Sequence, residues 1–423
     1  MKKKISPWWV FVAIGLGVAC GSMTGTTKTL FGITFFSIYD LLGTLFIKSL
    51  TLIIVPLVFS SIITGIARIG DEGKIGKVGL KTFGFYICTT LLAVLTGLLF
   101  VNVLTPGNSE HATELAARAQ EFAKIQEQLT DHKLNTFTDL LLQIIPTNIV
   151  QAMAQGQMLG IIFFSLIFGF ALTKIDSHHS GTQRTFWQGV FQAMIGITHM
   201  IMKVLPVGVF FLVAKVFATT GLESLKSLLL FSITVLLALG FFTFVVMPLL
   251  LKFVGRVSPL NHFRAMAPAL ITAFSTSSST ATLPITLDCV EKRAGVSNRI
   301  SSLVIPLGTS LNLSGSALYE CVAAMFVAQV YGIDISITTQ FIVLLLALIT
   351  SLGVAGVPAG SLVAVIVILK SIGLPEESIG LFIAVDRLLD MCRTTVNVFS
   401  DSCCAVLVAR AEGEKEILQK SKF

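Results

Sequence analysis

The sequence predicts an all-α polytopic membrane protein, with eight full crossings and two interrupted segments that re-enter on their own side. Three observations carry that reading. Of 423 residues, 54% are apolar and only 13% charged, against about 25% charged in a soluble domain. Apolar runs recur at lengths near the ~20 residues that a helical crossing needs. Lys and Arg gather in alternate connections between those runs, as they do in cytoplasmic loops. Thirty bases and twenty-three acids are too few to coat a soluble globule of this length. A soluble enzyme, a disordered chain and a nucleic-acid binder are therefore excluded. The net charge of +7 reflects loop bases and does not point to nucleic acid.

Taken in order, apolar runs cover about 7–26, 40–67, 82–105, 138–173, 187–218 and 227–255, with a last one at 378–410. The start, M-K-K-K-I-S-P-W-W-V, could pass for a signal peptide, but no small-residue cleavage site leads into a polar mature region, so it reads as an uncleaved first span. The run 138–173 is too long for one straight crossing, and Pro146 and Gly156 predict a break in it. Lys2, Lys3 and Lys4 precede the first span. Lys74 and Lys77 follow the second, Lys174 and Arg184 the fourth, and Lys252 and Arg256 the sixth; Lys415, Lys420 and Lys422 close the chain. The other connections hold few bases, among them Lys28 and Lys226. Both termini are thus expected in the cytoplasm, which requires an even number of crossings. The interrupted segments near 262–292 and 337–368 must then re-enter. Arg264, Lys292 and Arg293 place the first on the cytoplasmic side. Segment 107–135, with Glu110, Glu114, Arg118, Glu121, Lys124, Glu127 and Asp131, reads as an external loop or a solvated helix. The seven cysteines lack C-x-x-C spacing and read as small hydrophobes. The six histidines form no ligand array.

Polar groups concentrate in three tracts beyond residue 255: S-S-S-T-A-T-L-P (277–284), P-L-G-T-S-L-N-L-S-G-S (306–316) and S-L-G-V-A-G-V-P-A-G-S (351–361). Gly and Pro break each helix there. Irregular backbone at membrane depth must be buried in protein or line a wet cavity. Broken helices offer N–H groups to anions and carbonyls to cations. Kinks and close packing of small residues would explain one such tract, but hardly three beside the last span.

That span reads A-V-D-R-L-L-D-M-C-R-T-T-V-N-V-F-S-D (384–401). Asp386, Asp390, Arg393, Thr394, Asn397 and Asp401 fall within an arc of about 100° of one helix face. Charges at membrane depth are costly, so this stripe faces a cavity or pairs with itself. A guanidinium such as Arg393 can take a carboxylate bidentately, and Asp390 one turn earlier suits an ammonium. The pair matches a zwitterion with an extra acidic group. Glu320 follows the second tract; a carboxylic acid at that depth can carry a proton or simply pair with Arg393 or a hydroxyl.

These residues resemble the glutamate/aspartate transporters, the dicarboxylate/amino acid:cation symporters. The resemblance rests on S-S-S-T-A-T-L-P-I-T, N-L-S-G-S-A-L-Y-E, G-V-A-G-V-P-A-G and D-x-x-L-D-x-x-R-T-T-x-N-V-x-x-D-S. Upstream, I-I-V-P-L-V-F-S-S-I-I-T-G-I-A (53–67) and N-I-V-Q-A-M-A-Q-G-Q-M-L-G-I-I (148–162) carry it across nearly the whole chain. It implies a homotrimer in the bacterial inner membrane, among lipids, with eight spans, two re-entrant hairpins and an elevator-type fold. Spans 1–2 (1–78) and 4–5 (136–220) would form the scaffold. Span 3 (79–106) and residues 221–410 would form the moving domain. Hairpin 1 would lie at about 260–294 and hairpin 2, the gate, at about 336–370; residues 411–423 would be a cytoplasmic tail.

Residue by residue, the resemblance implies that Arg393 holds the substrate side-chain carboxylate and Asp390 its amino group. Thr394, Asn397, Ser279, Ser316 and the backbone near Val357 would add contacts. One sodium would sit at Asp401 with carbonyls of Gly308, Asn312 and Asn397. A second would use carbonyls of Leu313, Ser351, Leu352 and Val354 with Ser310. A third would use Tyr86, Thr89, Thr90 and the Asn312 side chain. The family pattern N-M-D-G-T has an acid where this chain has Ser314, which weakens that third site. With Glu320 and Asp386 also present, this favours protons or fewer sodium ions. No cofactor beyond the coupling ions H+ and/or Na+ is implied. The function expected is cation-coupled uptake of acidic amino acids. A C4-dicarboxylate carrier and a polar-pored channel are the alternatives. An intramembrane serine enzyme is disfavoured, because no His or Lys base adjoins the serine tracts in sequence.

Overall fold

The computed structural model describes residues 8–30, 32–70, 76–107, 145–155, 157–220, 224–333, 335–353 and 360–418. Helices dominate. Among the described residues the exception is a two-residue antiparallel pair, Thr29–Leu30 with Ile33–Thr34, between the first two helices. The helices are α1 Trp8–Thr24, α2 Phe35–Gly70, α3 Gly76–Leu104, α4 Ile149–Gln155, α5 Met158–Leu172, α6 Ser177–Met202 and α7 Leu205–Thr220. Then follow α8 Ser224–Phe241, α9 Met247–Phe253, α10 Pro259–Thr276, α11 Ser279–Asp288, α12 Asn298–Leu311, α13 Ser314–Val330, α14 Ile337–Gly353, α15 Gly360–Ser371 and α16 Gly380–Ala411. Most of the polar stretch 107–135 lies outside the described residues, as do Val354 and Val357 of the third polar tract.

Several runs fold differently from a single straight span, and proline accounts for two of the differences. The run 187–218 divides between α6 and α7, because Pro206 has no N–H for the Met202 carbonyl. α6 also starts well before that run, at Ser177, where the Asp176 carboxylate accepts the His178 and His179 N–H groups. Those bonds and the His179 side chain hold the Asp176 carboxyl below its usual range. The run 227–255 carries a π-helical turn, Phe242–Val246, between α8 and α9. Pro248 follows it and cannot donate to the Phe244 carbonyl, and a widened turn accommodates that loss. The run 138–173 is broken as Pro146 and Gly156 predict, with α4 ending at Gln155 and α5 starting at Met158.

Among the described residues, three helical stretches are long and apolar enough to cross a membrane: Val78–Leu104, Leu228–Phe253 and Asn298–Val330. The third spans α12 and α13 across the irregular pair Asn312–Leu313. Large apolar side chains such as Leu52, Leu80, Val103 and Phe244 lie on the outside. By contrast, every residue of α13 except Gln329 is buried. The interior is largely apolar with a few buried polar groups such as Asn312, Arg393 and Asp401, and the large apolar side chains at the rim befit a protein solvated by lipid.

Two packing groups are evident. α1 packs on α7, and α2 on α5, α6 and α7. α13 is wrapped by α3, α8, α14, α15 and α16, while α10 and α12 lie against α16. In the first group Gly17 and Gly21, spaced i and i+4, let α1 approach α7 closely. A Cβ on Gly21 would stand 2.5 Å from the Ala214 carbonyl oxygen. We expect Gly21→Val to destabilise the protein by about 1–3 kcal/mol, read as a lower thermal midpoint in detergent; an unchanged midpoint would contradict this packing.

Candidate functional site

The site grows from three helix interruptions, two of which pack against α16. At the first, α10 ends in Ser277, whose backbone is left-handed (φ 49°). The Ser278 hydroxyl then caps α11 by accepting the Ala281 N–H at 3.2 Å. Ser279 is the first residue of α11. At the second, Asn312 and Leu313 leave the helical region between α12 and α13. At the third, α14 ends at Gly353 and α15 begins at Gly360.

The N-terminus of α13 has no cap from its own chain neighbours. The Asn397 carbonyl oxygen, on α16, accepts the Gly315 N–H at 2.8 Å and the Ser316 N–H at 3.4 Å. The Asn397 amide donates to the Ser316 hydroxyl at 3.1 Å. One amide thus satisfies two N–H groups that the helix start leaves open. Gly315 is required here, since a Cβ would stand 2.9 Å from the Arg393 carbonyl oxygen.

Arg393 is fully buried. Its Nη1 lies 2.9 Å from Asp386 Oδ1 and its Nη2 donates to Asp390 Oδ1 at 3.0 Å. Its guanidinium carbon lies 3.9 Å from the centre of the Tyr319 ring. The Asp386 contact is an ion pair by distance but lacks hydrogen-bond alignment, leaving Nη1 and Nε without a hydrogen-bond partner among the described residues. Asp386 is nearly buried, whereas the Asp390 side chain keeps 25% exposure and also faces Arg387 at 3.7 Å. A buried guanidinium with unused donors, beside a carboxylate open to solvent, can recognise a second carboxylate together with an ammonium.

Four residues further along α16 from Asn397, Asp401 forms the second centre. Its Oδ1 accepts the Asn312 amide at 2.9 Å. A Cβ at Gly308 would stand 2.6 Å from that oxygen, so only glycine lets the carboxylate approach the α12 backbone. The Asn312 amide also donates to the Ser400 hydroxyl at 3.1 Å. Its carbonyl oxygen accepts from Ser314, Thr89 and Thr90 at 2.9, 3.2 and 3.4 Å. Tyr86 donates to the Val304 carbonyl nearby. Among the described residues, His, Cys, Asp and Glu do not gather in threes. The available donors are carboxylate, amide, hydroxyl and carbonyl oxygens, which suit hard cations.

Glu320, on α13, is also buried, and Thr350 of α14 lies 2.9 Å from its Oε2. The same hydroxyl lies 2.8 Å from the Leu346 carbonyl. A hydroxyl has one proton. When it donates to Leu346, Glu320 must be the donor and hence protonated; when it donates to Glu320, the acid can be ionised.

The structure therefore gathers Arg393, Asp390 and Asp386 in one centre, and Asp401, Asn312, Gly308, Thr89, Thr90 and Tyr86 in another. Asn397 and Ser316 lie between them along the chain. Among the described residues, Ser279, Ser310 and Thr394 donate to none of these groups, and the Ser351 hydroxyl donates to the Leu348 carbonyl. The Leu313 carbonyl accepts the Ala317 N–H, and Leu352 lies in the last turn of α14. Sequence reasoning did not single out Tyr319, Thr350, Ser400 or the buried His262, whose Nε2 lies 3.0 Å from the Ser402 hydroxyl. Adjacency was the available signal: Tyr319 precedes Glu320, Thr350 precedes Ser351, and Ser400 and Ser402 flank Asp401.

An all-α chain with apolar rims, broken helices and a buried charged centre defines an integral membrane protein of the solute-carrier type. The chain belongs to the sodium:dicarboxylate symporter family, whose model matches residues 7–411. It is 35% identical over 416 residues to the proton/sodium-glutamate symport protein of Bacillus caldotenax, covering 98% of this chain and 96% of that protein. It is 35% identical over 407 residues to the proton/glutamate-aspartate symporter of Escherichia coli (strain K12), covering 96% and 92%. It is 33% identical over 458 residues to the human excitatory amino acid transporter 3, covering 97% and 87%.

Removing Arg393 leaves the nearly buried Asp386 unpaired, at a cost of about 3–5 kcal/mol, and removing Asp386 leaves Arg393 with Asp390 alone, at a smaller cost. We expect Arg393→Met and Asp386→Asn each to lower the thermal midpoint, and the double variant to lose less than the sum. Strict additivity would show that the two groups do not interact.

Proposed function

We propose that this protein is a secondary active symporter that takes up acidic amino acids with cations, H+ and/or Na+, across the bacterial inner membrane. The observation that carries this reading is the fully buried Arg393 with its donors only partly used. The substrate side-chain carboxylate would take the guanidinium from Asp386 and Asp390. The freed Asp390 would take the substrate ammonium. Thr394, Asn397, Ser279, Ser316 and the backbone near Val357 would complete the contacts.

Charge explains why cations must accompany the substrate. The two buried centres and Glu320 hold four carboxyls, Asp386, Asp390, Asp401 and Glu320, against two guanidiniums, Arg387 and Arg393. An acidic amino acid brings one further net negative charge. Burying that excess is unfavourable unless protons or metal cations neutralise it. Asp401, with the carbonyls of Gly308, Asn312 and Asn397, is the place for one cation, and Glu320 with Thr350 is the place for a proton. Leu313, Ser351, Leu352, Val354 and Ser310 would form the second cation position; Tyr86, Thr89, Thr90 and Asn312 would form a third. Ser314 leaves that third position without a second carboxylate.

The movement proposed is an elevator. The whole chain would cross the membrane eight times with both termini cytoplasmic, and α1, α2 and α4–α7 would be the scaffold of a homotrimer. α3 and α8–α16 would move, with the hairpin of α14 and α15 as the gate. The two packing groups support this division, with α7 against α16 and α2 against α14 and α15 as the seams between them.

Purified protein in proteoliposomes should concentrate labelled aspartate under an imposed cation gradient. Arg393→Ala should lower uptake at least ~100-fold, because the interaction is buried and charge-assisted; unchanged uptake would refute its role. Gradients of pH and of Na+ applied separately identify the coupling ion. Glu320→Gln should abolish pH-driven accumulation, and retained accumulation would exclude Glu320 as the proton carrier. Succinate competing as well as aspartate would favour the dicarboxylate alternative, and conductance without coupled uptake the channel.

A further inference from the structure

Residues 412–418, which follow α16, fold back onto the protein. Gly413 (φ 92°) turns the chain back, with the Glu414 N–H bonded to the Ala409 carbonyl and the Gly413 N–H to the Arg410 carbonyl. That is the Schellman arrangement of a helix end. It sends residues 414–418 across the mouth of the first hairpin, formed by α10 and α11.

Contacts to five different segments follow. Lys81 of α3 donates to Glu412 at 2.6 Å and to the Ala411 carbonyl at 3.1 Å. Arg410 donates to the Gly255 carbonyl beyond α9 at 2.9 Å and to the Glu414 carbonyl at 2.9 Å. Glu414 accepts the Ser297 N–H at 3.1 Å, as well as its hydroxyl, and Ser297 is the N-cap of α12. Leu418 then joins the two ends of the hairpin. Its N–H donates to the Ala294 carbonyl at 2.9 Å, just after the hairpin leaves, and its carbonyl accepts the Asn261 amide at 3.3 Å, just after the hairpin enters. Ile417 and Leu418 bury their side chains, and Leu418 is held at φ 57°. A non-glycine residue keeps that conformation only where its surroundings fix it.

We propose that residues 412–418 are an intrachain clasp that closes the base of the first hairpin, tying α10 and the segment before α12 to α16. The hairpin then cannot splay from its cytoplasmic end, and its two arms, α12 and α16 move as one piece. This inference does not depend on the substrate or coupling ion proposed above.

Cys289 is a built-in reporter. It lies at the end of the hairpin's second arm, one turn before Ala294, and is buried. Cys321 of α13 is equally buried but far along the chain from the clasp. The full chain in proteoliposomes is treated with N-ethylmaleimide, and each labelled cysteine is located by mass spectrometry. Glu414→Ala and truncation after Gly413 should each speed labelling of Cys289, the truncation by about tenfold or more, as local opening requires, while Cys321 stays protected. Unchanged protection of Cys289 in both variants overturns the clasp. Cys289 and Cys321 becoming reactive together would show general loosening and would also overturn it.

Discussion

Everything in this protein answers to one guanidinium held away from water. Arg393 cannot remain charged inside the molecule without carboxylates close by, and Asp386 and Asp390 on its own helix supply them. The Tyr319 ring covers its face. That ring sits on α13, so α13 must start beside α16, and its first N–H groups must find an acceptor there. Asn397 is that acceptor. The broken backbone at Asn312–Leu313 then follows, because a continuous helix from α12 would present no free N–H groups. One buried charge thus dictates the partner acids, the aromatic cover and the interruption.

The second centre has a different logic. Around Arg393 the groups are charged and few; around Asn312 they are neutral and many. Thr89, Thr90, Ser314 and Ser400 surround one amide and one carboxylate. Such a set bonds to itself, and each hydroxyl can rotate to present either lone pair or proton. It is therefore adaptable where the arginine centre is committed. The two differ in exposure too, since Asp390 keeps contact with solvent and Asp401 does not.

Much of this was legible in the sequence for a physical reason. Lipid forbids exposed backbone polar groups, so Gly, Pro, Ser and Thr inside apolar runs mark places where the helices are interrupted. The polar stripe on α16 declared itself because charge is so rare elsewhere. Less legible were places where proline divides or widens a helix without changing its hydropathy, as at Pro206 and Pro248. Tyr319 and His262 were overlooked because an aromatic residue in an apolar run looks like any other core residue. The fold of residues 412–418 was also hidden. Their composition is that of a solvated end, and only Gly413 with the apolar pair Ile417–Leu418 hinted at a return to the protein.

The Asn397 contact has a mechanical consequence. A side chain of one helix supplies the start of another, so the axial register between α16 and α13 is set by a key in a slot. Sliding either helix by a single turn, about 5.4 Å, would withdraw the key and strip two hydrogen bonds from the slot. Gradual slippage is thus barred along this seam, and α13 and α16 behave as a stiff beam. Whatever large displacement the molecule undergoes must be accommodated where its helices meet through smooth apolar surfaces.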